Sequence, residues 1–208
     1  MKGRVVAMGE TPASAGNAAN IITVVRMLLA PVFIYLLLTD AGADTYLRYI
    51  AAALFIVAIL TDFVDGRLAR GRNLVTDAGK LLDPIADKVL IGGALVALSI
   101  LGELPWWVTI VIMVREVGVT VHRLVLAREV VIPASWFGKI KTVVQAVAIS
   151  VALVPFGTLT GQHGVFDVIN TILMSAALVL TIVSGLEYVW QIVKLGRAKR
   201  AAAVPPSA

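Results

Sequence analysis

Residues 61–88 read TDFVDGRLARGRNLVTDAGKLLDPIADK, a polar segment that holds Asp62, Asp65, Asp83 and Asp87 and is set between two apolar runs, Tyr46–Leu60 and Leu81–Leu101. Working outward, further apolar stretches fall at Ile21–Leu38, Trp106–Leu126, Val143–Phe156 and Val165–Val193. The breaks between stretches carry turn residues: Gly42, Gly71, Gly102-Glu103-Leu104-Pro105, Ile132-Pro133 and Gly161. Crossing a hydrocarbon layer of about 30 Å takes about 20 apolar residues. The pattern therefore predicts six transmembrane spans with little mass outside them.

Composition agrees. Of 208 residues, 59% are hydrophobic and 15% charged, and the mean hydropathy is +0.92, outside the range of an ordinary soluble domain. A chain in lipid must bond its own backbone groups, and nothing here alternates like the ten-residue strands of a barrel. The fold class read from this is all-α, integral to a membrane. Residues 1–19 carry Lys2 and Arg4 without a secretory apolar core and read as a cytoplasmic lead-in. Residues 20–195 form the helical domain, and 196–208 a basic then disordered tail that closes on Ala201–Ala208.

Charge sets the orientation. With both termini in the cytoplasm, the inner loops hold Arg67, Arg70, Arg72, Lys80, Arg128, Lys139 and Lys141, and the inner tail holds Lys194, Arg197, Lys199 and Arg200. The outer connections carry Arg48 alone, beside Asp40, Asp44, Glu103 and Asp167, with Trp106-Trp107 as an aromatic belt. The location expected is the cell membrane. The net charge of +5 gathers on the inner face and favours anionic headgroups and substrates. No domain is left over for nucleic acid.

Asp62 and Asp65 are three apart and Asp83 and Asp87 four apart, so each pair lies on one face of its helix and the four carboxylates can converge. Four like charges in one space require cations. The chain has no cysteine, so any metal is held by oxygen or nitrogen; hard oxygen donors without a His cluster favour Mg²⁺ or Mn²⁺, and such a site suits a pyrophosphate. The plain alternative is a solvated acidic loop paired with Arg67, Arg70, Arg72 and Lys80. Against it stand the ordered spacing, carboxylates opening an apolar helix, and glycines where backbones approach closely.

The spacing Asp62-x2-Asp65-Gly66-x2-Ala69-Arg70-x8-Gly79-x3-Asp83-x3-Asp87 resembles, without a gap, the signature of the CDP-alcohol phosphotransferase family. The resemblance extends from about Asn20 to Val193. It implies six transmembrane helices around a polar cavity open to the cytoplasm, usually in a homodimer. It also implies that Asp62, Asp65 and Asp83 bind two divalent metals, that Asp87 is the general base and a possible ligand of the second metal, and that Gly66, Ala69 and Arg70 accommodate the CDP moiety. Metals of this kind offset pyrophosphate charge and stabilise a leaving CMP.

Within the family, Asn20–Arg26, Arg115-Glu116, and Gly138–Thr142 followed by Gln145 look like the phosphatidylglycerophosphate synthases. That likeness points to CDP-diacylglycerol as donor and glycerol 3-phosphate as acceptor, with inositol phosphate or another alcohol as the alternative. This chain has Ala19 where those members usually have proline before the first asparagine. Arg115 lies about 14 Å down a helix from Trp106, near mid-membrane, so it either binds acceptor phosphate or pairs internally with Glu116 or an aspartate. Arg123, at i+8 on the same face, joins it around an anion or snorkels.

Lys139 and Lys141 open the fifth helix, as acceptor-phosphate ligands with Lys139 preferred or as interfacial anchors. Asn20, Thr23 and Arg26 serve the site or are only a cap and an anchor. His122 and His163 read as structural, Asp77 as a solvated loop residue, and Gly71 and Asn73 as turn residues. A transporter is the alternative of a different class, since acids in a helical bundle also line ion paths.

Overall fold

The structure, a computed structural model, describes residues 18–40, 46–71, 77–126 and 136–202; over 18–21, 40, 62–71, 77–83, 125–126 and 198–202 it gives the course of the helices and not the side chains. It is all-α among the described residues: α1 Ala18–Asp40, α2 Tyr46–Gly71, α3 Asp77–Ile100, α4 Trp106–Leu126, α5 Trp136–Leu153, α6 Phe156–Thr160 and α7 His163–Ala202. Residues 1–17 and 203–208, and the breaks at Gly42 and Ile132-Pro133, lie outside the description.

Several boundaries move from the expected ones. The segment read as lying between the second and third helices is helical over its described residues: α2 runs on through Asp62 and Asp65 to Gly71, and α3 already starts at Asp77. Asp77 is thus the first residue of a helix rather than a loop residue. α5 starts at Trp136, seven positions before Val143, because Gly138–Thr142 continues the same helix despite its two lysines. α7 absorbs the basic run and ends at Ala202, two residues into Ala201–Ala208, the part of the tail read as disordered.

Among the described residues, three helical segments are long and apolar enough to cross a membrane, Ile22–Thr39, Trp136–Leu153 and His163–Arg197, with Tyr46–Thr61 as a shorter apolar helix. This makes the chain a multi-pass membrane protein. The expected count of six is not reproduced by apolarity alone. α4 carries Arg115, Glu116 and Arg123, and α3 carries Asp83, Asp87 and Lys88, and charge at those positions breaks the uniform apolar run by which a span is recognised.

The core is built from small and apolar residues at helical spacing. Ala30, Phe33 and Leu37 of α1 meet Ala51, Ala52, Phe55 and Ala58 of α2, all buried, and the Phe33 and Phe55 rings pack edge to face at 5.5 Å. Alanines let helix axes approach closely, which is how spans adhere when lipid is as apolar as the interface. Gly92 and Gly93 do the same for α3: a side chain at Gly92 would collide with Met113 of α4, and one at Gly93 with Ile34 of α1. The outward faces are apolar as well, as Val24, Leu28 and Tyr35 on α1 and Ile172, Leu186 and Trp190 on α7 are exposed.

α3 ends in a glycine cap. Gly102 has φ +76°, its N–H donates to the Ser99 carbonyl at 3.2 Å, and the Glu103 N–H donates to the Leu98 carbonyl at 3.0 Å, the paired bonds of a Schellman motif. This turn delivers Glu103 to Arg48 at the start of α2. The buried Arg48 guanidinium donates to both Glu103 oxygens, at 2.5 and 2.6 Å. It also donates to the carbonyls of Ala152 at 3.0 Å and Leu153 at 3.2 Å. One side chain therefore ties α2 to the α3–α4 turn and satisfies carbonyls that the end of α5 leaves without helical partners.

Candidate active site

The aspartates lie at the opposite end of the bundle from Arg48. Asp62 and Asp65 belong to the last turns of α2 and Asp83 and Asp87 to the first turns of α3. The helical course through both segments keeps the three- and four-residue spacings that pair each set on one face. The side chains of Asp62, Asp65, Asp83, Gly66, Ala69 and Arg70 lie outside the described residues, as does that of Asn20, which falls inside the first turn of α1. Among the described residues no three acidic or histidine side chains cluster as metal ligands; of the four aspartates only the Asp87 side chain is among them.

Asp87 opens onto an ion network. Its Oδ2 accepts a hydrogen bond from Lys88 Nζ at 2.9 Å, and the same ammonium donates to Glu116 Oε2 of α4 at 2.8 Å. Glu116 Oε1 accepts from Arg115 Nη1 at 2.9 Å and from Lys141 Nζ of α5. Arg115 Nη2 in turn donates to Ser184 Oγ of α7 at 2.9 Å. Glu116 and Lys141 are each 4% exposed. A buried carboxylate is tolerated only when paired and hydrogen-bonded, and Glu116 has three cations around it. Among the described side chains, the three cations Lys88, Arg115 and Lys141 meet two carboxylates, Glu116 and Asp87.

Not every expected residue joins the cluster. Arg115 does, through the Glu116 pairing foreseen as its structural alternative, while its Nε is buried without a partner. Lys141 is at the centre, whereas Lys139 is exposed on another face of α5; two positions along a helix turn a side chain by about 200°. Arg123 is exposed and sits over the Tyr188 ring at 5.2 Å, apart from Arg115. Thr23 and Arg26 are buried, each about 3% exposed, so they do not act as interfacial anchors. His122, read as structural, has a partner in the Tyr188 hydroxyl at 2.8 Å.

Lys88 and Glu116 were not singled out as site residues from the sequence. A charged residue deep in α4 flanked by Arg115 was the available signal for Glu116; Lys88 offered only its position next to Asp87. Two cavities are lined by described residues of other parts of the bundle or of its edge. One of about 300 Å³ at the far end is lined by Arg48, Glu103, His163, Asp167 and Asn170. Another, of about 400 Å³, is an apolar groove between α4 and α7 whose lining includes Gly118, Gly185 and, from the ion network, Arg115.

The sequence model of the CDP-alcohol phosphatidyltransferase family matches residues 16–183. The chain is 47% identical over 190 residues to the probable phosphatidylglycerophosphate synthase of Mycobacterium tuberculosis, covering 89% of this chain and 88% of the relative. It is 40% identical over 185 residues to the CDP-diacylglycerol–glycerol-3-phosphate 3-phosphatidyltransferase of Bacillus subtilis, with 83% and 93% covered. It is 35% identical over 176 residues to the protein of the same name from Rickettsia typhi, with 83% and 94% covered.

Proposed function

The chain belongs to the CDP-alcohol phosphatidyltransferase family, and from this premise we propose that it transfers the phosphatidyl group of CDP-diacylglycerol to sn-glycerol 3-phosphate, giving phosphatidylglycerol phosphate and CMP. The observation that carries the acceptor is the set of three cations, Lys88, Arg115 and Lys141, gathered around the buried Glu116, which suits an alcohol that bears a phosphate and not a neutral one. The printed names of the relatives from Bacillus subtilis and Rickettsia typhi state the same acceptor. Family membership displaces the transporter.

The acceptor hydroxyl attacks the phosphorus that carries diacylglycerol, the bond from that phosphorus to the CMP oxygen breaks, and Asp87 takes the hydroxyl proton. Lys88 occupies Oδ2 of Asp87, which leaves Oδ1 for that proton. Arg115 and Lys141 hold the acceptor phosphate, Arg115 through the planar fork that matches phosphate oxygens. Gly66, Ala69 and Arg70 on the last turns of α2 accommodate the CDP moiety.

Hard carboxylate oxygens at helical spacing fit two ions of the Mg²⁺ or Mn²⁺ class, which Asp62, Asp65 and Asp83 would hold, with Asp87 able to share the second. When bound, such ions offset the pyrophosphate charge and polarise the phosphorus under attack. The same reading has six helices, α1 to α5 and α7, spanning the cell membrane with both termini in the cytoplasm, a polar cavity open on that side, and two copies paired as a homodimer.

The test is CMP release by purified protein with CDP-diacylglycerol, Mg²⁺ and either glycerol 3-phosphate or inositol phosphate, with EDTA as control. Turnover with glycerol 3-phosphate that EDTA abolishes is the expected result. Turnover only with the other alcohol overturns the acceptor, and no metal-dependent CMP release overturns the reaction.

A further inference from the structure

Lys88 stands outside the family signature and next to its last aspartate, and its ammonium is divided between two carboxylates, Asp87 Oδ2 at 2.9 Å and Glu116 Oε2 at 2.8 Å. Neighbouring residues on a helix do not face one another, so the contact to Asp87 is not a by-product of α3. Glu116 on α4 draws the ammonium to that side, and Glu116 is itself fixed by Arg115 and by Lys141 from α5. Arg115 is further held by Ser184 of α7. The result is one chain of charged contacts, Asp87 to Lys88 to Glu116 to Arg115 and Lys141, that runs from the proton acceptor to the phosphate-holding cations across α3, α4, α5 and α7.

We propose that Lys88 is a positioning residue that sets the separation between Asp87 and the Arg115–Lys141 cations, so that the protein measures the distance between hydroxyl and phosphate in its acceptor. This rests on the function proposed above. Lys has three N–H donors on one compact head, and two of them clamp carboxylates from different helices. A rigid short bridge of this kind presents the base at one fixed distance from the phosphate grip. In glycerol 3-phosphate the reacting hydroxyl and the phosphate are separated by three carbons, and an acceptor with two or four places its hydroxyl off the line to Asp87. Misplacement of a reacting atom by about 1 Å costs on the order of 10²-fold in rate.

The experiment uses the full chain in detergent with CDP-diacylglycerol, Mg²⁺ and a homologous set of acceptors: 2-hydroxyethyl, 3-hydroxypropyl and 4-hydroxybutyl phosphate. Wild type should favour the three-carbon member by kcat/KM. Lys88→Gln keeps a hydrogen-bonding head but loses the charge; it should lower kcat for the three-carbon acceptor by about 10²-fold, leave the KM of CDP-diacylglycerol within about twofold, and flatten the length preference. Lys88→Arg keeps the charge on a longer arm; it should restore part of kcat and move the preference towards the four-carbon acceptor.

A variant pair whose length preference equals that of wild type overturns the inference, as does an equal loss for all acceptors in both variants. Absence of CMP release by the wild type with glycerol 3-phosphate instead overturns the function on which it rests.

Discussion

Arg48→Ala removes a side chain whose guanidinium makes four hydrogen bonds to described residues at the end of the bundle remote from Asp87. Two go to Glu103 at 2.5 and 2.6 Å and two to the carbonyls of Ala152 and Leu153. Truncating one partner of a buried ion pair costs about 3–5 kcal/mol, because the other partner is left uncompensated. Here relief is available. Glu103 is 29% exposed and rehydrates in place, and the adjoining cavity of about 300 Å³ that Ala152 also lines admits water to the freed carbonyls. The loss should therefore lie near the lower figure, about 3 kcal/mol.

For a chain of this length each kcal/mol moves the midpoint by about 2–4 °C, so the Tm in detergent, followed by fluorescence of the four tryptophans, should fall by about 10 °C. Glu103→Gln keeps an acceptor for the guanidinium and should cost about half as much. CMP release below the new Tm should stay within about twofold of wild type, since the ion network around Glu116 shares no residue with the staple. A Tm change under about 2 °C for Arg48→Ala would refute the assignment of Arg48 as the tie between α2, α5 and the α3–α4 turn.

Asp62→Asn, Asp65→Asn and Asp83→Asn should each remove most CMP release while the protein elutes as folded; near wild-type turnover in any of them defeats the metal assignment. Asp87→Asn should lower kcat by about 10²–10⁴-fold with little change in the KM of either substrate, and a KM effect alone would argue against a proton-accepting role. Lys141→Ala should raise the acceptor KM more than the donor KM, and Lys139→Ala should do neither; the reverse ranking, measured on purified variants, would return the phosphate to Lys139. Gly185→Val places a branched side chain where even a Cβ comes 3.2 Å from Arg115 Cγ, so it should displace Arg115 and raise the acceptor KM. An unchanged KM would separate Arg115 from phosphate binding.

The part of this molecule legible from sequence was the part written in local spacing. Asp62 to Asp87 falls within one stretch of chain, with separations that map directly onto helical faces, and glycines and prolines marked most of the breaks. What escaped is held between distant positions. Lys88 and Glu116 are 28 residues apart, Lys141 and Glu116 25, Arg48 and Glu103 55, and His122 and Tyr188 66. Such pairs exist only once helices have packed. The preference for Lys139 over Lys141 failed to match the cluster for a related reason: which of two lysines on α5 turns inward depends on the rotation of the helix about its axis, and Gln145, Ala148 and Ile149, all buried, fix that rotation in favour of Lys141.

α7 runs 40 residues without interruption, about 60 Å at 1.5 Å per residue, while the layer it must cross is about 30 Å thick. Its apolar part, His163–Arg197, is 35 residues, about 52 Å. Laying that length wholly within hydrocarbon would take a tilt well over the roughly 40° that marks the upper range for spans. The helix therefore meets the bilayer with hydrophobic mismatch: exposed Leu186, Val189, Trp190 and Val193 extend the greasy surface towards the end where Lys194 and Arg197 begin. The excess is taken up by tilt, by thicker lipid beside the helix, or by turns that run past the layer towards Lys194 and Arg197, and where lipid adapts the cost is fractions of a kcal/mol for each ångström of mismatch.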